Sequence, residues 1–462
     1  MSTSPRRRNV AAGIGVLAAT ALALAACTPG SNTAQDATEE PTGAAPAEVQ
    51  TDISDAEEQT LVVWDQEVRG GQNEQMERLN DAFMEQYPNI TIDRVTQSND
   101  DLQATLRLAL TGEDAPDVAQ TNNARSQMGQ FVQAGQIRPL DDYAEAYGWS
   151  DRFPDSVLQN TRYSTDGKTF GEGTLYGLPQ VGEVVGVYYS KAKLDELGLE
   201  VPETWADFES QLGTIAEAGE TPIMLGNLDQ WPALHVFGPV QGAYAEPGTI
   251  RDLGFGNEGA TWTDDANLEA AGALQDWAQS GYFNDGFNGA DYDATWQAFT
   301  EGEGVYLIGG SWLTADIGAA MGEDVGFFAP PPTDAGAGPV TTGATGIPFS
   351  ITSQAENPDV AAAYIDFVTS EDAMAILAET GNMPVVETAE HMPDSGLQRD
   401  VFAAYDDVVT NGSLLPYLDW ATPTMGTTLG QALQGLMAGE LTPEEFADTV
   451  EQDYAEFVAS NQ

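Results

Sequence analysis

Leu61-Val62-Val63-Trp64 is a short apolar run, as expected of a strand buried on both faces. The chain turns polar and glycine-rich over 65–71. Met76, Leu79, Phe83 and Met84 then recur at helical spacing up to Tyr87-Pro88-Asn89, and a second strand is predicted over 90–95. Strand, loop, helix and strand in that order imply a right-handed crossover and a parallel α/β sheet. An amphipathic helix follows over 102–110 and a brief strand over 115–119, with Asn122 and Asn123 just past it. Another helix ends at 131–135, and Ile137-Arg138-Pro139-Leu140 leads out. Leu175-Tyr176-Gly177-Leu178-Pro179 opens onto a long strand over 184–189. Leu194 and Leu197 mark a helix, and Pro202-Glu203-Thr204-Trp205 starts the next. Residues 281–310 alternate turns and aromatics. A strand over 304–308 ends in Gly309-Gly310-Ser311-Trp312, and another over 325–328 is closed by three prolines. Residues 358–379, 424–438 and 443–459 read as helices, and no repeat of solenoid or propeller period is present.

The N-terminus follows a different pattern. Arg6, Arg7 and Arg8 precede a run from Val10 to Ala26 with no charged residue, so 1–26 reads as a signal peptide. The run is close to the lower limit for a membrane span, and length alone leaves a single-pass anchor open. Leu24-Ala25-Ala26-Cys27 resembles a bacterial lipobox, which implies cleavage before Cys27 and a diacylglycerol on its sulfur. A plain signal peptide with a cysteine near the cut is the alternative. The successive arginines leave twin-arginine export open. Cys27 is the one cysteine of the 462 residues, so lipidation leaves no thiol for a disulfide. Residues 28–58 hold eight carboxylates and no lysine or arginine. Such a segment buries too little apolar surface to offset its ordering entropy, and 27–58 is expected to be a disordered, lipid-anchored tether.

The remaining chain, from about 59 to 462, is long enough for two domains or one bilobal unit. Over the full 462 residues the apolar content of 42% is ordinary, but 73 acidic residues face 16 basic ones. That field repels phosphate backbones and excludes nucleic acid as a partner. It also repels anionic headgroups, leaving the acyl chain as the membrane contact. Most of the acidity reads as a solubility device. There is no P-loop and no Gly-x-Ser-x-Gly. His235 and His391 are isolated, and 285–293 and Glu301-Gly302-Glu303 lack an EF-hand pattern. Neither a metal nor a cofactor is expected. With 73 acids, carboxylate pairs of the glycosidase kind must arise by chance, so they do not argue for an enzyme.

Several stretches, in order, carry a family resemblance: Leu61-Val62-Val63-Trp64; Phe83-Met84-Glu85-Gln86-Tyr87-Pro88-Asn89-Ile90; Gly112-Glu113-Asp114-Ala115-Pro116-Asp117-Val118; Tyr176-Gly177-Leu178-Pro179 with Val187-Tyr188-Tyr189-Ser190-Lys191; Val201-Pro202-Glu203-Thr204-Trp205; Gly226-Asn227-Leu228-Asp229-Gln230-Trp231-Pro232; Gly309-Gly310-Ser311-Trp312; and Leu415-Pro416-Tyr417-Leu418-Asp419-Trp420. Together they resemble the extracellular solute-binding proteins of ABC importers, in the sugar- and oligosaccharide-binding, maltose-binding-protein-like branch. The resemblance implies an α/β, two-lobed periplasmic-binding-protein-like fold of type II, its lobes joined by crossing hinge segments near 179–184, 327–330 and 383–386. Lobe one is then 59–182 plus 329–382, and lobe two 183–328 plus 383–462. It further implies a monomeric, non-enzymatic lipoprotein at the outer face of the cytoplasmic membrane. Its partners would be a carbohydrate ligand and ABC permease subunits. A binder of another solute, such as a polyol or a cation, is the alternative, and a surface glycoside-active enzyme a more distant one. Peptide binding is disfavoured by a total of three lysines.

A sugar offers hydroxyls, which carboxylates and amides answer, and C–H faces, which aromatic rings cover. By analogy with the family, Glu183 faces the cleft. Trp312 would stack on a sugar, with Gly310 and Ser311 letting the ligand approach the backbone. Trp231, Asn227 and Asp229 form a second group, and Asp419 with Trp420 a third. Asp65, Glu67 and Arg69 follow the first strand, and Asn122, Asn123 and Arg125 the third, where ligands of open α/β sheets bind. For each the competing role is an ordinary one, as turn polar, surface charge or core ring.

Overall fold

The computed structural model describes residues 49–112 and 114–461. The signal peptide, Cys27 and the tether as far as residue 48 lie outside the described residues. Among the strands, β1 (Gln59–Asp65), β2 (Ile90–Thr96) and β3 (Val118–Gln120) come first, followed by a short ribbon of β4 (Arg162–Tyr163) and β5 (Thr174–Leu175). Then come β6 (Gly182–Ser190), β7 (Ile223–Met224), β8 (Tyr306–Gly310) and β9 (Val325–Phe328). β10 (Val340–Thr345), β11 (Phe349–Ile351) and β12 (Ser413–Leu415) complete the set.

Two main sheets result. The first has the order β11-β3-β1-β2 and the second β12-β10-β6-β8-β7, with β9 also on β6. β1 runs parallel to β2 from Gln59↔Ile90 to Asp65↔Thr96, as the strand–helix–strand pattern requires. The intervening helix, Gly70–Gln86, buries Met76, Leu79 and Phe83, the residues whose spacing predicts it. In the second sheet β6 pairs antiparallel with β8, β9 and β10. Helix Trp231–Tyr244 packs on it and helix Asp265–Gln279 packs outside that helix; neither is announced by the residue pattern. The expected helix over 358–379 is two, Pro358–Val368 and Glu371–Glu379. Ser370 makes the break by accepting a hydrogen bond from Ala373 N, an N-cap that starts the second helix.

The chain leaves the first sheet through Leu178, which bridges Phe349, and enters β6 at Gly182. Its return lies at 346–348, between β10 and β11, not near 327–330. The proline run interrupts the strands without turning the chain away. β10 re-enters beside β6, where Thr341 Oγ1 donates to Val185 O at 2.8 Å. Residues 329–345 thus belong with the second sheet. A further passage lies at Met383–Val386, where Met383 packs in the second lobe and Val385 and Val386 in the core of the first.

The last part of the expected tether, 49–58, is packed on the first lobe. Ile53 is buried, and Asn89 Nδ2 donates to Ile53 O and Ala56 O, both at 3.0 Å. Asp359 accepts from Gln50 N at 3.4 Å and Tyr147 Oη donates to Thr51 O at 3.5 Å, so several contacts hold a stretch whose composition is otherwise that of a leash.

Candidate ligand-binding cleft

A cavity of about 470 Å³ lies where the loops beyond β1 and β3 of the first sheet meet the segment beyond β8 and its neighbours in the second lobe. It occupies the position that open α/β sheets reserve for ligands, past the carboxyl ends of strands. Its first-lobe side is polar, with Arg69, Gln72, Asn122, Asn123 and Gln127. Its second-lobe side is aromatic, with Trp231, His235, Trp312, Tyr417 and Trp420.

The aromatic wall is a continuous set of ring contacts. Trp231 and Tyr292 lie 4.5 Å apart between centroids, His235 and Trp312 5.1 Å, His235 and Tyr417 5.0 Å, and Tyr417 and Trp420 5.3 Å. Trp312 Nε1 donates to Tyr292 Oη at 2.9 Å. The indole folds back over the end of β8, and a Cβ on Gly310 would stand 2.0 Å from it, so only glycine fits there. Gln230, directly before Trp231, holds φ 68°, a costly conformation for a residue with a side chain, and it sits at the cleft. Fully buried Asn227 supports that turn by accepting from Ala233 N at 3.0 Å.

Glu183 begins β6, and its Oε2 accepts from Tyr417 Oη at 3.0 Å. Burial pushes its carboxyl up to about 7, opposed by the Tyr417 bond and helped by the charge of Glu67. Burial also raises Asp419 to about 6 and lowers His235 to about 3, so the imidazole is neutral. Asp100 and Asp229 stand at the rim. Desolvation raises both, reinforced at Asp100 by the charge of Asp229. Four buried polar atoms of the lining, Gln72 Oε1, Trp231 Nε1, His235 Nδ1 and Thr345 Oγ1, have no hydrogen-bond partner among the described residues.

Of the residues singled out by sequence, the cavity is lined by Glu183, Trp312, Trp231, Asp229, Asp419, Trp420, Arg69, Asn122 and Asn123. The others face elsewhere. Asp65 is fully buried and holds Arg94 at two points, 2.6 and 2.8 Å. Glu67 lies behind the lining, where its Oε1 accepts from Gln120 Nε2 at 2.7 Å. Arg125 donates to Phe255 O at 3.0 Å and lies over the Phe457 ring, joining the lobes behind the cleft. Ser311 Oγ accepts from Val184 N at 3.2 Å and Gly310 O from Tyr188 Oη at 2.9 Å, so both fix the strand end that carries Trp312. Asn227 is a support of the turn, as described.

Gln72, Asp100, Gln127, His235, Thr345 and Tyr417 line the cavity without having been anticipated. Tyr417 alone had a signal, since it lies two residues before Asp419 in the Leu415-Pro416-Tyr417-Leu418-Asp419-Trp420 stretch. Two polar contacts tie the lobes beside the cavity: Arg69 to Asp293 at 2.9 Å, and Gly70 N to Asp316 Oδ1 at 3.1 Å. Among the described residues no group of three or more His, Cys, Asp or Glu side chains is placed to hold a metal ion.

A family model described as bacterial extracellular solute-binding protein matches residues 70–375. The chain is 28% identical over 238 residues to the multiple sugar-binding protein of Streptococcus mutans, covering 50% of this chain and 56% of that one. It is 25% identical over 243 residues to the maltodextrin-binding protein MdxE of Bacillus subtilis, covering 48% and 53%. The chain thus spans about half the length of these relatives. A solved structure of a chitin oligosaccharide binding protein superposes with a TM-score of 0.73 at 22% identity, over 87% of this chain and 99% of that one. The fold is therefore the type II, two-lobed one.

Proposed function

The chain belongs to the family of bacterial extracellular solute-binding proteins, and on that premise we propose that it captures a sugar or short oligosaccharide between its lobes. It hands this ligand to the permease of an ABC importer and performs no chemistry on it. The observation that carries the reading is the cleft with two unlike sides, rings on one and amides with an arginine on the other. Rings replace water over the C–H faces of a pyranose, while amides and carboxylates take its hydroxyls. The names of the Streptococcus mutans and Bacillus subtilis relatives agree with a saccharide ligand. Binding at an interlobe site favours the closed arrangement and so shifts the lobe equilibrium. Lipidation of Cys27, supported by Leu24-Ala25-Ala26-Cys27, would hold a monomer at the outer face of the cytoplasmic membrane.

The test is calorimetry and thermal unfolding of the body, residues 49–462, against a panel of mono- and oligosaccharides. A cognate sugar should bind once per chain, raise the unfolding temperature and contract the molecule in small-angle scattering. Absence of heat, stabilisation and contraction with every saccharide would refute the proposal.

A further inference from the structure

The charge in the cleft is uncompensated, which narrows the saccharide it fits. Asp100 and Asp229 stand at the rim, and Glu183 and Asp419 lie deeper, half-buried. The cations nearby do not answer them. Arg69 is paired with Asp293 at 2.9 Å, and Arg107 is exposed at the rim, where it donates to Ser126 O at 2.9 Å. His235, the one other basic side chain of the lining, is neutral. Tyr417 donates to Glu183 at 3.0 Å, and Asp419, two residues further along the chain, stands in the same lining. Around them stand Trp312, Trp231 and Trp420.

A second observation points to a guest with polar groups. Gln72 is 7% exposed and Thr345 2%, and Gln72 Oε1 and Thr345 Oγ1 both lack a partner among the described residues while lining the cavity. Buried polar atoms of this kind are ordinarily satisfied. Gln72 Oε1 only accepts and is answered by a donor of the guest, while the equally unpartnered Trp231 Nε1 only donates and is answered by an acceptor such as a sugar hydroxyl.

A hydroxyl supplies donors but no charge, so the carboxylates at this end either keep theirs against desolvation or give it up by taking a proton. An ammonium supplies three donors and one positive charge, which answers one carboxylate of this end, and it is attracted to the faces of tryptophan and tyrosine. The volume of about 470 Å³ lies in the range of pockets for drug-sized ligands, about 300–1,000 Å³, so the cavity holds more than a small amine. Resting on the saccharide reading above, we infer that the cleft selects an amine-bearing saccharide over its neutral hydroxyl counterpart, its ammonium seated at the Glu183–Tyr417–Asp419 end.

Matched pairs test this by calorimetry at neutral pH: glucosamine with glucose, galactosamine with galactose, and the free-amine β-1,4-glucosamine disaccharide with cellobiose. The N-acetylated disaccharide serves as an uncharged control. At least one amine should bind about tenfold or more tightly than its partner and than the acetylated form, and the preference should shrink in Glu183→Gln and in Asp419→Asn. Thermal unfolding of both variants confirms that they fold, and the wild-type comparison stands without them. If the neutral member binds as well or better in every pair that binds, the inference fails and saccharide binding stands. A preference lost in about 0.5 M salt, or unchanged in both variants, reports the acidic surface at large and also overturns the seat. Binding of no saccharide at all would sink this inference and the proposed function together.

Discussion

Replacing Asp293 by asparagine removes a charge that bridges the lobes and should weaken ligand binding without touching the ligand surface. Asp293 Oδ1 accepts from Arg69 at 2.9 and 3.3 Å, and from Trp296 Nε1, in its own helix, at 2.8 Å. Asparagine keeps an acceptor for Trp296, so the lobe itself should be undisturbed. The Arg69 side chain is 17% exposed and that of Asp293 49%, which places the pair among well-screened ion pairs. Such pairs contribute about 0.5–1 kcal/mol. The Asp316 contact to Gly70 N persists, so closure is weakened and not abolished. Because the loss falls on the closed state alone, the Kd for a cognate ligand should rise about two- to fivefold. Calorimetry at low salt measures this rise, and a salt series supplies the internal control. Wild-type affinity should fall as salt screens the pair, and the variant should show the shallower fall. Unchanged affinity at low salt with parallel salt slopes would refute the idea that this pair holds the closed form.

Three further outcomes follow from named contacts. Trp312→Ala should lose about 1–3 kcal/mol of binding, as a stacking anchor does; calorimetry that returns the wild-type affinity would remove this ring from the binding surface. Asp65→Asn leaves the Arg94 guanidinium without its charge partner in the first lobe, and should cost about 3–5 kcal/mol in urea unfolding; a loss under about 1 kcal/mol, the worth of an exposed pair, would contradict that account. Glu67 is held up to about 7 by burial against an ordinary 4.5, so the folded chain keeps its proton longer than the unfolded one. Its contribution to stability therefore falls as pH rises from about 4.5 to about 7 and is level above. The melting temperature of Glu67→Gln should rise relative to wild type across that window, and a constant offset would refute the assignment.

Much of the scaffold was legible because its signals are local. Apolar runs at Leu61-Val62-Val63-Trp64 and 184–189 announce strands, and Met76, Leu79 and Phe83 announce the face of a helix. The position of Trp312 at a strand end was legible for the same reason. Helix Trp231–Tyr244 was not. Most of its residues are buried and it contains Pro239, so it has neither a polar face nor a clean interior to betray it. Among the site residues, polarity after a strand does not say which way a side chain turns. Arg69 and Asn123 reach the cavity, while Asp65 finds Arg94 and Glu67 finds Gln120, and those partners come from distant parts of the chain. His235 looks isolated in sequence because two of the three rings around it, Trp312 and Tyr417, come from distant parts of the chain, and only Trp231 is near in sequence. The place of β10 misleads for a related reason: prolines mark where a strand stops, but not which sheet takes up the next one.

Glu183 stands two residues past Val181, which bridges Pro384 and accepts from Gly346 N at 2.8 Å, so the crossing segments are knotted together right beside it. It also shares its lobe with Trp231, Trp312, Tyr417 and Asp419. One jaw therefore carries the acids and the rings whether or not the other has swung in. A guest can land there first, and the amides of Gln72, Asn122 and Asn123 arrive afterwards as the opposite jaw comes down. Arrival should then be governed by the landing jaw and residence time by the arriving one, which divides the kinetics of capture between the two halves of the molecule.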